Sequence, residues 1–212
     1  MTVIRTSLLL GALTLATPAA LLRATSPAWA QQAMGAAAPV AALYDALTAI
    51  RSQAGSTSFA QRAQRLAPAI DQAFNLPTIL QNSIGLRFRS LPDAQKQQLE
   101  QVFRQFTIAR YVSNFASKSG DALKVLPGAH PSSYGSDQIV QTQITSASGD
   151  ATKLDYVMRR FPQGWQAVDV LVDGHISQVA VQRSDFGSTV SAGDATSLIE
   201  SLKKKIQSFS ET

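Results

Sequence analysis

The stretch of sequence that decides the fold runs GWQAVDVLVDGHISQVAVQRSDF, from Gly164 to Phe186. A glycine turn leads into a β-rich run that ends at Asp173 and Gly174. Valine recurs at every second position from 168 to 172, which predicts a strand with distinct faces. The residues that follow, 176–190, have apolar spacings that fit either a strand or a helix.

Alternating apolar and polar residues predict three more strands. Two of them, residues 138–146 and 153–161, precede the run at 165–172, and short turns join the three. Strands connected so closely pair antiparallel, so this part of the chain is predicted to form a meander. A run at residues 122–126 would complete a sheet of about four strands.

The rest of the chain has the spacing of helices. Apolar residues predict a helix from Pro39, after a flexible leader at residues 31–38, a second from Ser58 and a short one over residues 77–84. A final helix is predicted after Asp194, its expected cap. Helices, then a meander, then helices are typical of an α+β protein.

A long helix rich in aromatic residues is predicted just before the sheet. Ser90 and Asp93 have the spacing of a capping box at its start. Two apolar stripes follow on nearly opposite faces, so the segment is predicted to lie inside the fold. It is either continuous or broken near Thr107. The stripes are Leu99, Val102, Phe103 and Phe106, then Ile108, Tyr111, Val112 and Phe115.

The N-terminus has the order of a secretory signal peptide, predicted over residues 1–30. Arg5 precedes an apolar run at residues 8–16, and Ala28-Trp29-Ala30 has the small-x-small pattern of a cleavage site. The run is too short to span a bilayer core of about 30 Å. An uncleaved membrane anchor is the alternative. The remaining domain, 31–212, is predicted to be helical over 39–119, sheet over 121–174 and helical over 176–209.

Composition excludes several classes of function. The chain has no cysteine, hence no disulfide framework, thiolate metal site or thiol nucleophile. Its net charge of +5 falls by two when Arg5 and Arg23 leave with the signal peptide. A nucleic-acid-binding protein would show a concentrated basic stripe, whereas this mild excess suits transient contact with an anionic membrane or an acidic partner.

No catalytic or metal-binding motif is found. His130, in a predicted exposed turn, and His175 are the two histidines, and no spacing suits zinc or calcium. Asp173, His175 and Ser177 carry the residue types of a hydrolase triad, but triad members converge from different elements. The protein is therefore predicted not to be an enzyme and to need no cofactor.

Asp169 is a carboxylate on an otherwise apolar strand, so it needs a partner. The expected partner is Arg159 or Arg160 on the neighbouring strand. The functional alternative is a polar lip at the mouth of a binding site.

The pattern of Trp165, Asp169, Gly174, Ser177 and Phe186 resembles the signature of the MlaC, or toluene-tolerance, family of periplasmic lipid carriers. The resemblance favours a helix after Ser177. The family usually has one residue between the glycine and the serine, and this chain has two. That spacing is more similar to the hopanoid-associated, HpnM-like branch.

The resemblance implies an NTF2-like cone, in which helices enclose an apolar cavity against a curved antiparallel sheet. It also implies a periplasmic carrier that binds one lipid, hopanoid or phospholipid, and exchanges it with an inner-membrane lipid transporter. An envelope adaptor without ligand and a periplasmic hydrolase are the alternatives. The candidate cavity-lining residues are Phe103, Phe106, Tyr111, Val140, Ile144, Tyr156, Met158, Val168 and Val170.

Overall fold

A computed structural model describes residues 28–116, 121–133 and 135–211 of the chain. It describes their side chains as well, except for those of residues 28–34 and 116. The proposed signal peptide lies almost entirely outside these residues and stays a prediction. The described residues contain the following helices: α1 (Ala28–Arg51), α2 (Phe59–Ala73), α3 (Leu76–Ile84), α4 (Asp93–Tyr111), α5 (Gln178–Gly187) and α6 (Thr196–Ser210).

An antiparallel sheet lies between α4 and α5 in the sequence. Its strands are β1 (Ala122–Pro131), β2 (Gln138–Thr145), β3 (Ala151–Phe161), β4 (Gly164–Val172) and β5 (Ile176–Ser177). They pair in sequence order, each antiparallel to the next. The α+β prediction with an open, curved sheet is confirmed, and the two-residue β5 is an addition to the four expected strands. His130 belongs to β1, although a turn was predicted there.

The first helix is longer than predicted. It begins at Ala28 and runs through the segment expected to be a flexible leader, with Pro39 in its interior. Alanine has the highest helix propensity, and this segment is rich in it. Ala36 is fully buried, and the side of the helix at Gly35 lies against the Trp165 indole. Packing on the sheet therefore extends the helix beyond what apolar spacing indicated.

The N-terminal caps of α2, α4 and α6 differ in how well the sequence predicts them. Ser58 and Gln61 form a complete capping box at the start of α2. The capping box predicted at Ser90 is wrong, since the Ser90 hydroxyl donates to the Arg87 carbonyl and α4 starts without a side-chain cap. Asp194 accepts from the Thr196 amide and hydroxyl, so it caps α6 from two residues upstream.

The helices pack on one face of the sheet and form one core with it. Leu43 and Leu47 of α1 meet Leu66 and Ile70 of α2, all fully buried. The aromatic helix α4 is continuous through Thr107, and a π-helical turn, Val112–Ala116, follows it. None of the helices within the described ranges has the length and apolar character to cross a membrane.

A β-bulge in β4 changes which side chains face the helices. Tyr156 pairs with Val170, but two residues further along β3 Met158 pairs with Ala167, which leaves Val168 without a partner. One extra residue reverses the alternation of faces along the strand. Trp165 and Ala167 therefore share the helix-facing side with Val170, contrary to strict alternation.

Candidate functional site

A cavity of about 570 Å³ lies between the helices and the sheet. Helices α4 and α5 provide one wall, and strands β2, β3 and β4 provide the other. Its apolar lining is Phe74, Leu76, Ile79, Phe103, Phe106, Tyr111, Phe115, Ile144, Leu154, Val170, Val172 and Val179. Its polar lining is Thr107, Arg110, Asn114, Asp121, Ser146, Ser148, Asp150, Thr152, Asp169, Gln178 and Gln182.

One group of polar side chains lies at one end of the cavity, and others, including Arg110 and Gln182, lie along its helical wall. Ser148 and Asp150 belong to the turn between β2 and β3, and Thr152 starts β3. At the other end Phe74 packs against Tyr156, with the two ring centroids 6.0 Å apart. Thr152 and Tyr156 are four positions apart on β3, so these levels lie about 13 Å apart along the strand. The cavity thus has a polar end and an aromatic end.

Five of the nine predicted residues line the cavity. They are Phe103, Phe106, Tyr111, Ile144 and Val170. Both aromatic residues of the first stripe reach the cavity, and so do both aromatic residues of the second, Tyr111 and Phe115.

The other four predicted residues, Val140, Tyr156, Met158 and Val168, do not line the cavity. All four are buried. Val140, Tyr156 and Met158 are fully buried in the main hydrophobic core, where Tyr156 packs against the Tyr44 ring of α1. Val168 is the unpaired residue of the bulge and lies outside the main core cluster.

A cluster of tyrosines supports the aromatic end of the cavity. The Tyr44 hydroxyl lies 2.7 Å from the Thr142 hydroxyl, and the Tyr156 hydroxyl donates to Tyr44 at 3.5 Å. Burial raises the pKa of Tyr44, Tyr111 and Tyr156 above the usual phenol value. The three side chains therefore stay neutral at physiological pH and present no charge beneath an apolar ligand.

Asp169 fixes the start of helix α5 beside the cavity. Its carboxylate accepts from the Ser177 hydroxyl at 2.5 Å, the Val179 amide at 3.1 Å and the Val170 amide at 2.7 Å. Ser177 in turn accepts from the Ala180 amide as the helix N-cap. A carboxylate at a helix N-terminus is favourable because unpaired amides point toward it.

The arginine partners predicted for Asp169 are wrong. Arg159 forms a bidentate ion pair with the buried Asp137, and the Arg160 guanidinium lies 6.0 Å from the centre of the Trp165 ring. Asp169 pairs with Val157 across the strands, and its carboxylate reaches Ser177 and the first turn of α5 instead of the β3 arginines. Asp169 also lines the cavity, as the polar-lip hypothesis requires.

Replacing Asp169 with alanine is expected to lower the free energy of unfolding by about 2 kcal/mol, because two backbone amides and a hydroxyl lose their acceptor. Asp169→Asn keeps one oxygen for the amides and is expected to cost less. Urea unfolding monitored by circular dichroism measures both changes. Equal losses in the two variants would contradict this role for the backbone hydrogen bonds.

Polar side chains on the helical wall were not predicted from the sequence. Arg110 donates to the Gln178 side chain at 3.0 Å, and Gln182 accepts from the buried Ser83 hydroxyl at 2.9 Å. The charged residue at position 110, inside an aromatic stripe, was the feature of the sequence that could have indicated a polar group on this wall. These groups could hold the polar part of a ligand whose body lies on the aromatic rings.

The local geometry does not assemble a hydrolase triad from Asp173, His175 and Ser177. The Ser177 hydroxyl donates to Asp169, and His175 Nδ1 lies 2.8 Å from the backbone carbonyl of Asp173. The nucleophile and base therefore have other partners. Within the described residues, no three histidine, aspartate or glutamate side chains cluster as metal ligands would.

Comparisons with known proteins agree with this architecture. The chain is similar to a phospholipid-binding protein from Ralstonia solanacearum, whose structure was solved in complex with a phospholipid. The TM-score is 0.68 with 20% sequence identity, over 82% of this chain and 98% of that chain, a likeness that shows the fold alone. No curated protein matches the sequence. A family model described as MlaC protein matches residues 41–204, most of the chain, and the protein therefore belongs to the MlaC family.

Proposed function

We propose that this protein is a lipid carrier, which holds one lipid in the cavity between α4, α5 and the sheet. The proposal rests on the cavity itself, whose lining combines a large aromatic and aliphatic surface with a polar end at the turn between β2 and β3. Its volume, about 570 Å³, falls within the range of small-molecule binding sites. An envelope adaptor without ligand would instead have a filled interior.

The cavity provides a physical reason for a lipid to leave a membrane surface and remain bound. Apolar area removed from water contributes about 25 cal/mol per Å², and the aromatic end supplies such a surface. The polar end lets the head group keep its hydrogen bonds, since burying it without partners would be costly. Membership in the MlaC family and the phospholipid-bound structural relative support the same conclusion.

The class of lipid is proposed to be a hopanoid, with phospholipid as the second candidate. Two residues separate Gly174 from Ser177, the spacing that resembles the hopanoid-associated branch. The described lining residues include one cation, Arg110, and three carboxylates, Asp121, Asp150 and Asp169. This excess of negative charge favours an uncharged, hydroxyl-bearing head group over an anionic one. The phospholipid complex of the Ralstonia solanacearum protein supports the second candidate.

The proposed site of action is the periplasm, after export by the signal peptide, with an inner-membrane lipid transporter as partner. Transient membrane contact is part of the proposal, because a lipid must pass between the bilayer and the cavity. Leu86 supports it, since its side chain is 81% exposed on the 3₁₀ turn after α3. Arg87 and Arg89 follow this leucine, and although Arg87 donates to the Val190 carbonyl at 2.8 Å, the exposed Arg89 suits an anionic membrane surface.

Uptake from vesicles tests the proposed function. The mature protein, stripped of lipid by unfolding and refolding, is incubated with vesicles that contain equal amounts of labelled hopanoid and labelled phospholipid. After separation from the vesicles, we expect up to one labelled lipid per chain, with hopanoid in excess. Phospholipid in excess would reverse the choice of ligand, and protein without either label would contradict the carrier function.

A further inference from the structure

A second cavity, of about 360 Å³, lies directly behind the aromatic end of the first. Phe74 and Leu76 line both cavities, so the wall between them is formed by these two side chains. The second cavity has Pro77 beside this wall and the ion pair between Asp71 and Arg104 at its edge. Its apolar residues are thus Phe74, Leu76 and Pro77, and the rest of its lining comes from polar and charged side chains.

The wall is held firmly in place by the backbone. The Phe74 amide donates to the Ile70 carbonyl at 3.0 Å, and the Asn75 amide donates to the Ala167 carbonyl at 3.0 Å. The buried Gln166 side chain donates to the Phe74 carbonyl at 3.2 Å and accepts from the Asn75 side chain at 3.0 Å. The junction between α2 and α3 is thus attached to β4 at several points.

The ring of Phe74 is fixed as well. It is 4% exposed, and its centroid lies 5.4 Å from that of Tyr111 and 6.0 Å from that of Tyr156. Aromatic pairs at these separations attract one another beyond the effect of burial. A side chain held in this way limits how far an apolar ligand can extend toward α2.

We propose that Phe74 determines the length of the apolar ligand that the protein accepts, and that the second cavity is a latent site for the end of a longer chain. The inference rests on the proposed lipid-carrier function. With phenylalanine at position 74, the apolar part of the ligand ends against the ring. With a smaller side chain there, the two cavities join, and additional methylene groups gain apolar surroundings.

The expected effect follows from the free energy of burying methylene groups. Two further buried methylenes correspond to roughly tenfold stronger retention. The gain applies only to ligands long enough to reach the wall, so short ligands should bind the wild-type protein and the variants alike. A change in length preference, rather than in overall binding, is therefore the signature of a wall residue.

The test uses vesicles that contain an equimolar set of synthetic phospholipids whose acyl chains increase in two-carbon steps. Wild-type protein, Phe74→Leu and Phe74→Ala are loaded from these vesicles, and bound lipids are quantified by mass spectrometry. Both variants are expected to shift the preferred length upward, with roughly tenfold enrichment of the lipid one step longer than the wild-type preference. The leucine variant keeps most of the apolar packing and covers the case in which Phe74→Ala does not fold.

Filling the second cavity provides the matched control. Gln101 is exposed on α4 and lines the second cavity but not the first. In the double variant Phe74→Leu/Gln101→Trp, the length preference is expected to return toward that of the wild type. An unchanged length distribution in folded Phe74→Leu would overturn the inference while leaving the carrier function intact. Wild-type protein that takes up none of these phospholipids would overturn the inference, and wild-type protein that also takes up no hopanoid would overturn the carrier function as well.

Discussion

Replacing Tyr156 with alanine is expected to lower the free energy of unfolding by about 3–5 kcal/mol. Tyr156 is fully buried and packs against the rings of Tyr44 and Phe74, with centroids 6.2 and 6.0 Å away. The alanine variant leaves a cavity in the centre of the sheet and removes a hydrogen-bond partner from Tyr44. Such a loss is a large part of the 5–15 kcal/mol typical of a domain.

Tyr156→Phe is the matched control, because it keeps the ring and removes only the hydroxyl. Its cost is expected to be about 1 kcal/mol, the net value of one hydrogen bond. Urea unfolding followed by circular dichroism measures both variants. An alanine variant within 1 kcal/mol of the wild type would show that Tyr156 is not a central packing residue. Because Tyr156 lies outside the cavity lining, the folded phenylalanine variant should retain its lipid.

Replacing Val170 with tryptophan is expected to reduce bound lipid about tenfold or more, which corresponds to at least 1.4 kcal/mol of lost binding free energy. Val170 lines the cavity, on the side of β4 that faces the helices. The indole would occupy space that the ligand otherwise fills. Since the ring enters a void, the cost in stability should be smaller than for a residue packed into a filled core.

Leu171→Trp supplies the control for this variant. Leu171 is the next residue of the same strand, points to the opposite face and does not line the cavity. Lipid bound per chain is measured by mass spectrometry after both proteins are shown to have native circular dichroism spectra. Normal lipid content in folded Val170→Trp, or an equal loss in Leu171→Trp, would argue against the assigned binding face.

Which segments form helices and which form strands was predictable from the sequence, because the patterns that indicate them involve residues close together in the chain. Alternation indicated β2, β3 and β4, and the meander followed from short turns. The start of α2 was also predictable, since a capping box involves only residues three apart. The start of α1 was not, because burial of Ala36 and the contact at Gly35 with Trp165 depend on the assembled sheet.

The candidate site was only half predictable. Strict alternation placed Val168 with Val170, and one extra residue opposite β3 reversed that relation. Val140 and Met158 were correctly assigned to the face of the sheet that packs against the helices. Alternation along a strand does not tell, however, which part of that face a helix covers. The partner of Asp169 was missed for a similar reason, since Ser177 and the Val179 amide reach it only once α5 folds beside β4.

Mass spectrometry of the organic extract from the mature protein shows whether the cavity holds one lipid. The protein is exported in cells that make the candidate lipids and is purified without detergent. We expect close to one lipid per chain, with hopanoid ahead of phospholipid, and much less in Val170→Trp. A protein that carries no lipid, and stays empty after incubation with vesicles, would contradict the account.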